Sequence, residues 1–224
     1  MNGILLINKP KGWTSHDIVA KVRGVLKKEL GVKKVKVGHA GTLDPLATGL
    51  LIILVGNYCK RANEFLKLDK TYEIEIMLGQ TSTTDDGEGE KTHISDSRPT
   101  DKQVKEALNL FIGAIKQVPP QFSAIKVGGK RAYHQARSGK KVDLEPRSVT
   151  IHSINNIEYE YPHIRFSVDV SSGTYIRSLA RDIGRKLGTG AYMSNLKRTK
   201  IDKYLLANSI SPLIEDLSTH FHQP

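Results

Sequence analysis

Six consecutive apolar residues, Leu50-Leu51-Ile52-Ile53-Leu54-Val55, set the first constraint on this chain. The run falls far short of the ~18 apolar residues of a membrane span, so it belongs inside a folded core, as a strand or a helix segment. Other stretches settle the class. Residues 70–79 (KTYEIEIMLG) alternate, which puts Tyr72, Ile74, Ile76 and Leu78 on one face of a strand, and 163–171 (HIRFSVDVS) repeat the pattern. GILLIN (3–8) is a short strand stopped by Lys9-Pro10-Lys11-Gly12, and Val32, Val35 and Val37 suggest another. Between them, Thr14-Ser15 open a helix carrying Ile18, Val19, Val22, Val25 and Leu26. Thr100 and Gln103 form a capping box before Val104, Ala107, Leu108 and Phe111. Gly173-Thr174 open a third helix with Ile176, Leu179, Ala180, Ile183 and Leu187 on its buried face. A polar, acidic loop covers roughly 80–99. Strands and helices mix without strict βαβ alternation, which predicts an α+β fold on a mixed sheet. No internal repeat, low-complexity tract or linker is visible.

Charge narrows the partner. Lys and Arg number 34 against 23 Asp and Glu, a net charge of +11, which suggests a polyanion: nucleic acid or an anionic membrane surface. The excess gathers in 9–36, 126–141 and 177–203. The middle cluster holds Lys126, Lys130, Arg131, Arg137, Lys140 and Lys141 with no acid, and its Tyr133 and His134 could stack on unpaired bases. The single cysteine, Cys59, excludes an internal disulfide. The N-terminal apolar run is too short for a signal peptide, so a cytoplasmic protein with no membrane partner is expected. His39, Asp44, Asp85, Asp86 and His93 lack metal-ligand spacing, and neither a P-loop nor a GxGxxG turn is present, so no metal site or nucleotide cofactor is expected.

The most unusual segment is GHAGTLDPLATG (38–49), where Asp44 lies among glycines and apolar residues. Residue type alone leaves two readings open: a carboxylate capping its own loop in an Asx turn, or a catalytic carboxylate. Arg177 sits beside the apolar stripe of its helix in the first turn. A cation is mildly unfavourable there, so a carboxylate partner is called for, although a solvated arginine is the plain alternative. Tyr72 sits on the apolar face of its strand, where a core aromatic with a hydrogen-bonded hydroxyl is the default reading and a site residue the alternative.

These residues lie in motifs that resemble the TruB family of tRNA pseudouridine-55 synthases. The similarity runs through GILLINKPKGWTSHD, GHAGTLDPLATGLL, KTYE, LGQTSTTDDGEG, VPPQFSAIKVGGKRAYHQARSG, RSVTI, SSGTYIRSLARDIG and LKRT, in order, over roughly residues 3–205. The resemblance implies the pseudouridine synthase fold: a mixed, mainly antiparallel sheet flanked by helices and loops. It places a catalytic domain over 1–210, with an RNA-gripping insertion at about 118–145. It implies an enzyme without cofactor that turns uridine into pseudouridine in the T arm of tRNA, working as a monomer with no obligatory protein partner. Asp44 matches the essential aspartate, Tyr72 the active-site tyrosine, and Arg177 the arginine that pairs with the aspartate. Asp86 matches an acid linked to that arginine, His39 a histidine stacking near the flipped nucleotide, Leu196 an apolar pocket floor, and Lys9 a lysine supporting the catalytic loop. Lys126, Lys130, Arg131, Tyr133 and Arg137 fall in the RNA-gripping insertion. Many family members continue into a small PUA domain, whereas only about twenty residues follow position 204 here, so 211–224 are expected to form a short tail. Two other readings remain: a non-catalytic tRNA-folding chaperone, and the same chemistry on another RNA.

Overall fold

The structure, a computed structural model, describes residues 1–123, 126, 127, 130, 131, 133, 135, 142–213 and 216–222. In chain order the strands are β1 (Gly3–Lys9), β2 (Val37–Ala40), β3 (Thr48–Val55), β4 (Lys70–Leu78), β5 (Gln80–Ser82), β6 (Lys91–His93), β7 (Gly113–Gln117), β8 (Lys126–Val127), β9 (Lys130–Arg131), β10 (Arg147–Glu160), β11 (His163–Val170), β12 (Ala191–Ile201) and β13 (Tyr204–Leu205). The helices are α1 (Ser15–Leu30), α2 (Ala62–Leu66), α3 (Asp101–Asn109) and, as the next described one, α4 (Ile176–Leu187). This is the mixed α+β architecture with a mainly antiparallel sheet. Residues 1–73 with 196–224 form one compact unit and 74–195 the other, the boundaries falling inside β4 and β12. Among the described residues, no helix is long and apolar enough to cross a membrane.

In the first unit the order is β1-β3-β12, with β2 beside β3 and β13 beside β12. The LLIILV run is the central strand β3. One edge pairs antiparallel with all of β1, from Gly3↔Val55 to Lys9↔Gly49. The other edge takes β2 at Ile52–Val55 and, in parallel, β12 at Thr48 and Gly49. Alternate residues therefore point to two different cores. Leu51, Ile53 and Val55 pack with Ile18, Val19, Val22 and Leu26 of α1. Leu50, Ile52 and Leu54 pack with Phe65, Ile201 and Tyr204. Both faces being covered explains why the run is apolar without alternation.

Helix α1 starts where the sequence predicts, with a Thr14–Asp17 capping box, and ends on Gly31 at φ 63°. Val32 is exposed, and the predicted strand begins only at Val37. The C-terminal segment closes the free edge of β1. Ile210 bridges Ile7, His222 bridges Ile4, and Leu217 is buried against α1. Covering an open edge removes a template for unwanted pairing.

In the second unit β4-β11-β10-β7 lie side by side. β10 and β11 pair antiparallel through two register shifts, and β7 pairs with the start of β10. The acidic loop contains the short hairpin β5–β6. The third predicted helix starts at Ile176, two residues beyond Gly173-Thr174.

Candidate active site

Asp44 lies in the loop that joins β2 to β3. Gly41 and Gly49, at its two ends, adopt φ +96° and +101°. Position 49 must be glycine, because a Cβ there would come within 2.3 Å of the Arg198 carbonyl on β12. Between them the loop is fixed residue by residue. The Leu43 N–H donates to Ser15 Oγ at 2.8 Å, and that hydroxyl donates to the Leu43 carbonyl at 3.1 Å. The Gly12 N–H donates to the Pro45 carbonyl at 2.8 Å, and the Ala47 N–H to the Asp44 carbonyl at 3.1 Å. Leu43, Leu46 and Ala47 are buried, whereas Asp44 is half-buried.

Lys9 is wholly buried, and its Nζ donates to the carbonyls of Pro10 (3.0 Å) and Trp13 (2.6 Å), closing the turn whose Gly12 meets Pro45. Tyr72 and Leu196 are buried in β4 and β12 of the same unit, and the Leu196 carbonyl accepts from Thr48 Oγ at 3.4 Å. His39, in β2, has a buried Nδ1 without a hydrogen-bond partner among the described residues. Burial pushes its pKa down, helped by the charges of Arg198 and His16. In the window just below the unfolded value of 6.5, unfolded chains take up a proton that folded chains resist. Stability should therefore fall as the pH drops through that window, and His39→Gln should flatten the fall, read from urea midpoints at about pH 7 and about pH 5.5.

The second unit holds Arg177, Asp86 and Tyr133. Helix α4 has no side-chain cap of its own at Tyr175, and the Tyr175 N–H instead donates to Gln117 Oε1 of β7 at 2.8 Å. Arg177 is 9% exposed. Its Nη1 donates to the Thr84 carbonyl (3.2 Å) and lies 3.6 Å from the Asp86 carboxylate, while Nη2 donates to the Phe122 carbonyl (2.9 Å). Asp86, 2% exposed, also accepts from Thr84 Oγ1 and from the Glu88 N–H. Neighbouring Asp85, at φ 61°, points instead to Arg181, whose Nη1 is 2.9 Å away. Burial pushes the Asp85 carboxyl up, against the opposing pull of Arg181. The first-turn cation of α4 thus meets an acid, as its awkward position called for.

Of the basic segment, Lys126–Val127 and Lys130–Arg131 pair antiparallel, and the Tyr133 N–H donates to the Ser123 carbonyl. Arg137 lies outside the described residues. Three residues that the sequence did not single out stand out here: Ser15, Gln117 and Arg198. Ser15 reads as part of a helix start, and Arg198 as one more surface cation. Among the described residues, no three His, Cys, Asp or Glu side chains gather as a cation site.

A family model described as "TruB family pseudouridylate synthase (N terminal domain)" matches residues 27–176. A second, "tRNA pseudouridylate synthase B C-terminal domain", matches residues 177–222. The chain belongs to the TruB family. It is 48% identical over 212 residues to the tRNA pseudouridine synthase B of Protochlamydia amoebophila, covering 94% of this chain and 78% of that one. The Parabacteroides distasonis protein of the same name is 46% identical over 210 residues, covering 93% and 89%. Among solved structures, a Cbf5-Nop10-Gar1 complex matches with a TM-score of 0.69 and 29% identity, over 93% of this chain and 52% of that chain. An archaeal box H/ACA sRNP Nop10-Cbf5 complex matches with a TM-score of 0.67 and 25% identity, over 94% and 51%. The chain thus spans about half the length of those two solved chains. As a TruB member it is an enzyme, a pseudouridylate synthase.

Proposed function

We propose that this TruB enzyme isomerises uridine to pseudouridine in tRNA, at position 55 of the T arm, with Asp44 as its catalytic carboxylate. The observation that carries the reading is the Asp44 loop, whose residues 43 and 45 are both tied to the segment 12–15, so that the backbone carrying Asp44 is held on both sides. The target base must leave the stack before its C5 can be reached, so the nucleotide is bound everted. The N1–C1′ bond then breaks and positive charge builds on the ribose. A carboxylate suits that charge, whether it stabilises it, attacks C1′, or removes a ribose proton to give a glycal. The freed uracil turns, C5 bonds to C1′, the C5 proton leaves and N1 takes one up, so the reaction is balanced without oxidant, metal or cofactor.

In this reading Arg177 supplies the guanidinium that the family resemblance pairs with Asp44, and Asp86 holds Arg177. Tyr72 and His39 meet the everted nucleotide and Leu196 packs beneath it. Lys9 supports the loop, and Lys126, Lys130, Arg131, Tyr133 and Arg137 grip the RNA. The protein acts alone, in the cytoplasm.

The direct test incubates purified protein with an unmodified tRNA transcript, without added metal or cofactor, and maps pseudouridine. One new pseudouridine in the T arm is expected. Modification only at other positions would overturn the T-arm assignment, and no modification at all would overturn the activity itself.

A further inference from the structure

We infer that Ser15, together with Arg198, is a positioning residue for the reaction, fixing the peptide groups around Asp44 rather than touching the substrate. The inference rests on the reading of Asp44 as the catalytic carboxylate.

Ser15 is 2% exposed and begins α1. Serine and threonine at helix starts usually cap the helix with their hydroxyls. Here that task is taken. Thr14 is the N-cap, with a complete capping box to Asp17. The Ser15 hydroxyl is left over, and it spends its donor and one acceptor site on the N–H and carbonyl of Leu43, 28 residues away. Leu43 is itself buried, so water has little room to replace those bonds. The residue before Asp44 is thereby held at both of its polar backbone groups, and the residue after it is held through the Gly12 N–H.

Arg198 fastens the base of the same loop. It is 1% exposed, lies beside Gly49 in the β3–β12 pairing, and donates from Nε to the Leu50 carbonyl (2.7 Å) and from Nη2 to the Gly41 carbonyl (3.0 Å). One rigid guanidinium thus spans the two ends of the loop, which a lysine with its single nitrogen cannot do. Burying such a charge is costly unless its donors find acceptors, and two of them go to backbone carbonyls on either side of Asp44. Ser15 sets the middle of the loop and Arg198 its ends.

The test compares Ser15→Ala and Arg198→Lys with the unaltered enzyme, using an unmodified tRNA transcript. Single-turnover rate, tRNA Kd and thermal midpoint are measured together. Each variant is expected to lose about ten- to a hundredfold in rate, the scale of an ångström-sized misplacement. Affinity for tRNA should stay within about threefold, since the backbone contacts that dominate it lie elsewhere. Ser15→Thr, which keeps the hydroxyl, should recover part of the rate. A rate per folded molecule equal to the unaltered enzyme's, or a loss matched by an equal loss of affinity, overturns the inference. Should Ser15→Ala fail to fold, Ser15→Cys keeps the volume, weakens both bonds and is judged by the same criteria. Asp44→Asn runs alongside. If it turns over, the catalytic reading falls and takes this inference with it; if it is inert while Ser15→Ala runs at full speed, the positioning role alone falls.

Discussion

Asp44→Asn should lower single-turnover isomerisation by about 10⁴-fold or more, the scale on which loss of an essential catalytic side chain registers, while leaving tRNA affinity within about threefold. The asparagine keeps the size and removes the charge. The loop is also held through the backbones of residues 43, 44, 45 and 47 and through Ser15 and Arg198, bonds that the substitution does not remove. A loss of rate in this variant therefore reports chemistry and not a collapsed loop, provided its urea midpoint stays near that of the unaltered protein. The variant also separates an enzyme from an RNA chaperone. Any help the protein gives to tRNA folding depends on its basic surface and should survive the change, whereas isomerisation should vanish. Turnover within about tenfold of the unaltered enzyme would remove Asp44 from the mechanism.

Legibility from sequence followed burial geometry. β1, β4 and β11 were readable because each has a clean alternation or a short apolar run, α1 because its apolar residues keep helical spacing after Thr14-Ser15, and α3 because its capping box is written in the chain, whereas the apolar run of β3 left strand and helix segment both open. β10, the longest strand, was not. Its second half is largely exposed, two register shifts break its pairing with β11, and Asn156 interrupts it at φ 53°. Such a strand has no constant period to detect. β12 hid for the opposite reason. It carries Ser194, Lys197, Arg198 and Lys200 between its apolar residues, and the most polar of them, Arg198, is among the most deeply buried side chains. Its partners are carbonyls about 150 residues back along the chain, a pairing no local window contains. The same limit applied to the site. Gly41, Asp44 and Gly49 advertise themselves within one segment, but Ser15 does not, since its partner is Leu43. Residue type does not tell Asp85 from Asp86; the family resemblance assigns Asp86 to Arg177, and in the fold Asp86 lies beside Arg177 while Asp85 faces Arg181.

That distinction makes Arg177 the second position where a large effect is expected. Arg177→Met keeps most of the side-chain volume but withdraws the guanidinium from Asp86, Thr84 and Phe122 at once. At 3.6 Å, Asp86 is a charge partner rather than a direct hydrogen-bond acceptor, and the bonds proper go to the two carbonyls. The variant therefore strands a buried carboxyl and two carbonyls, and a loss of about 3 kcal/mol in unfolding free energy is expected. A drop in turnover alone would then be ambiguous. Adding Asp86→Asn resolves it. With both charges gone, Thr84 and the Glu88 N–H still partner residue 86, and most of the lost stability should return, read from urea midpoints at matched slopes. Turnover should not return, because in the proposed mechanism the guanidinium serves Asp44 as well as Asp86. A stable double variant that isomerises uridine at the unaltered rate would reduce Arg177 to a structural residue, and a single variant as stable as the unaltered chain would contradict the buried pair itself.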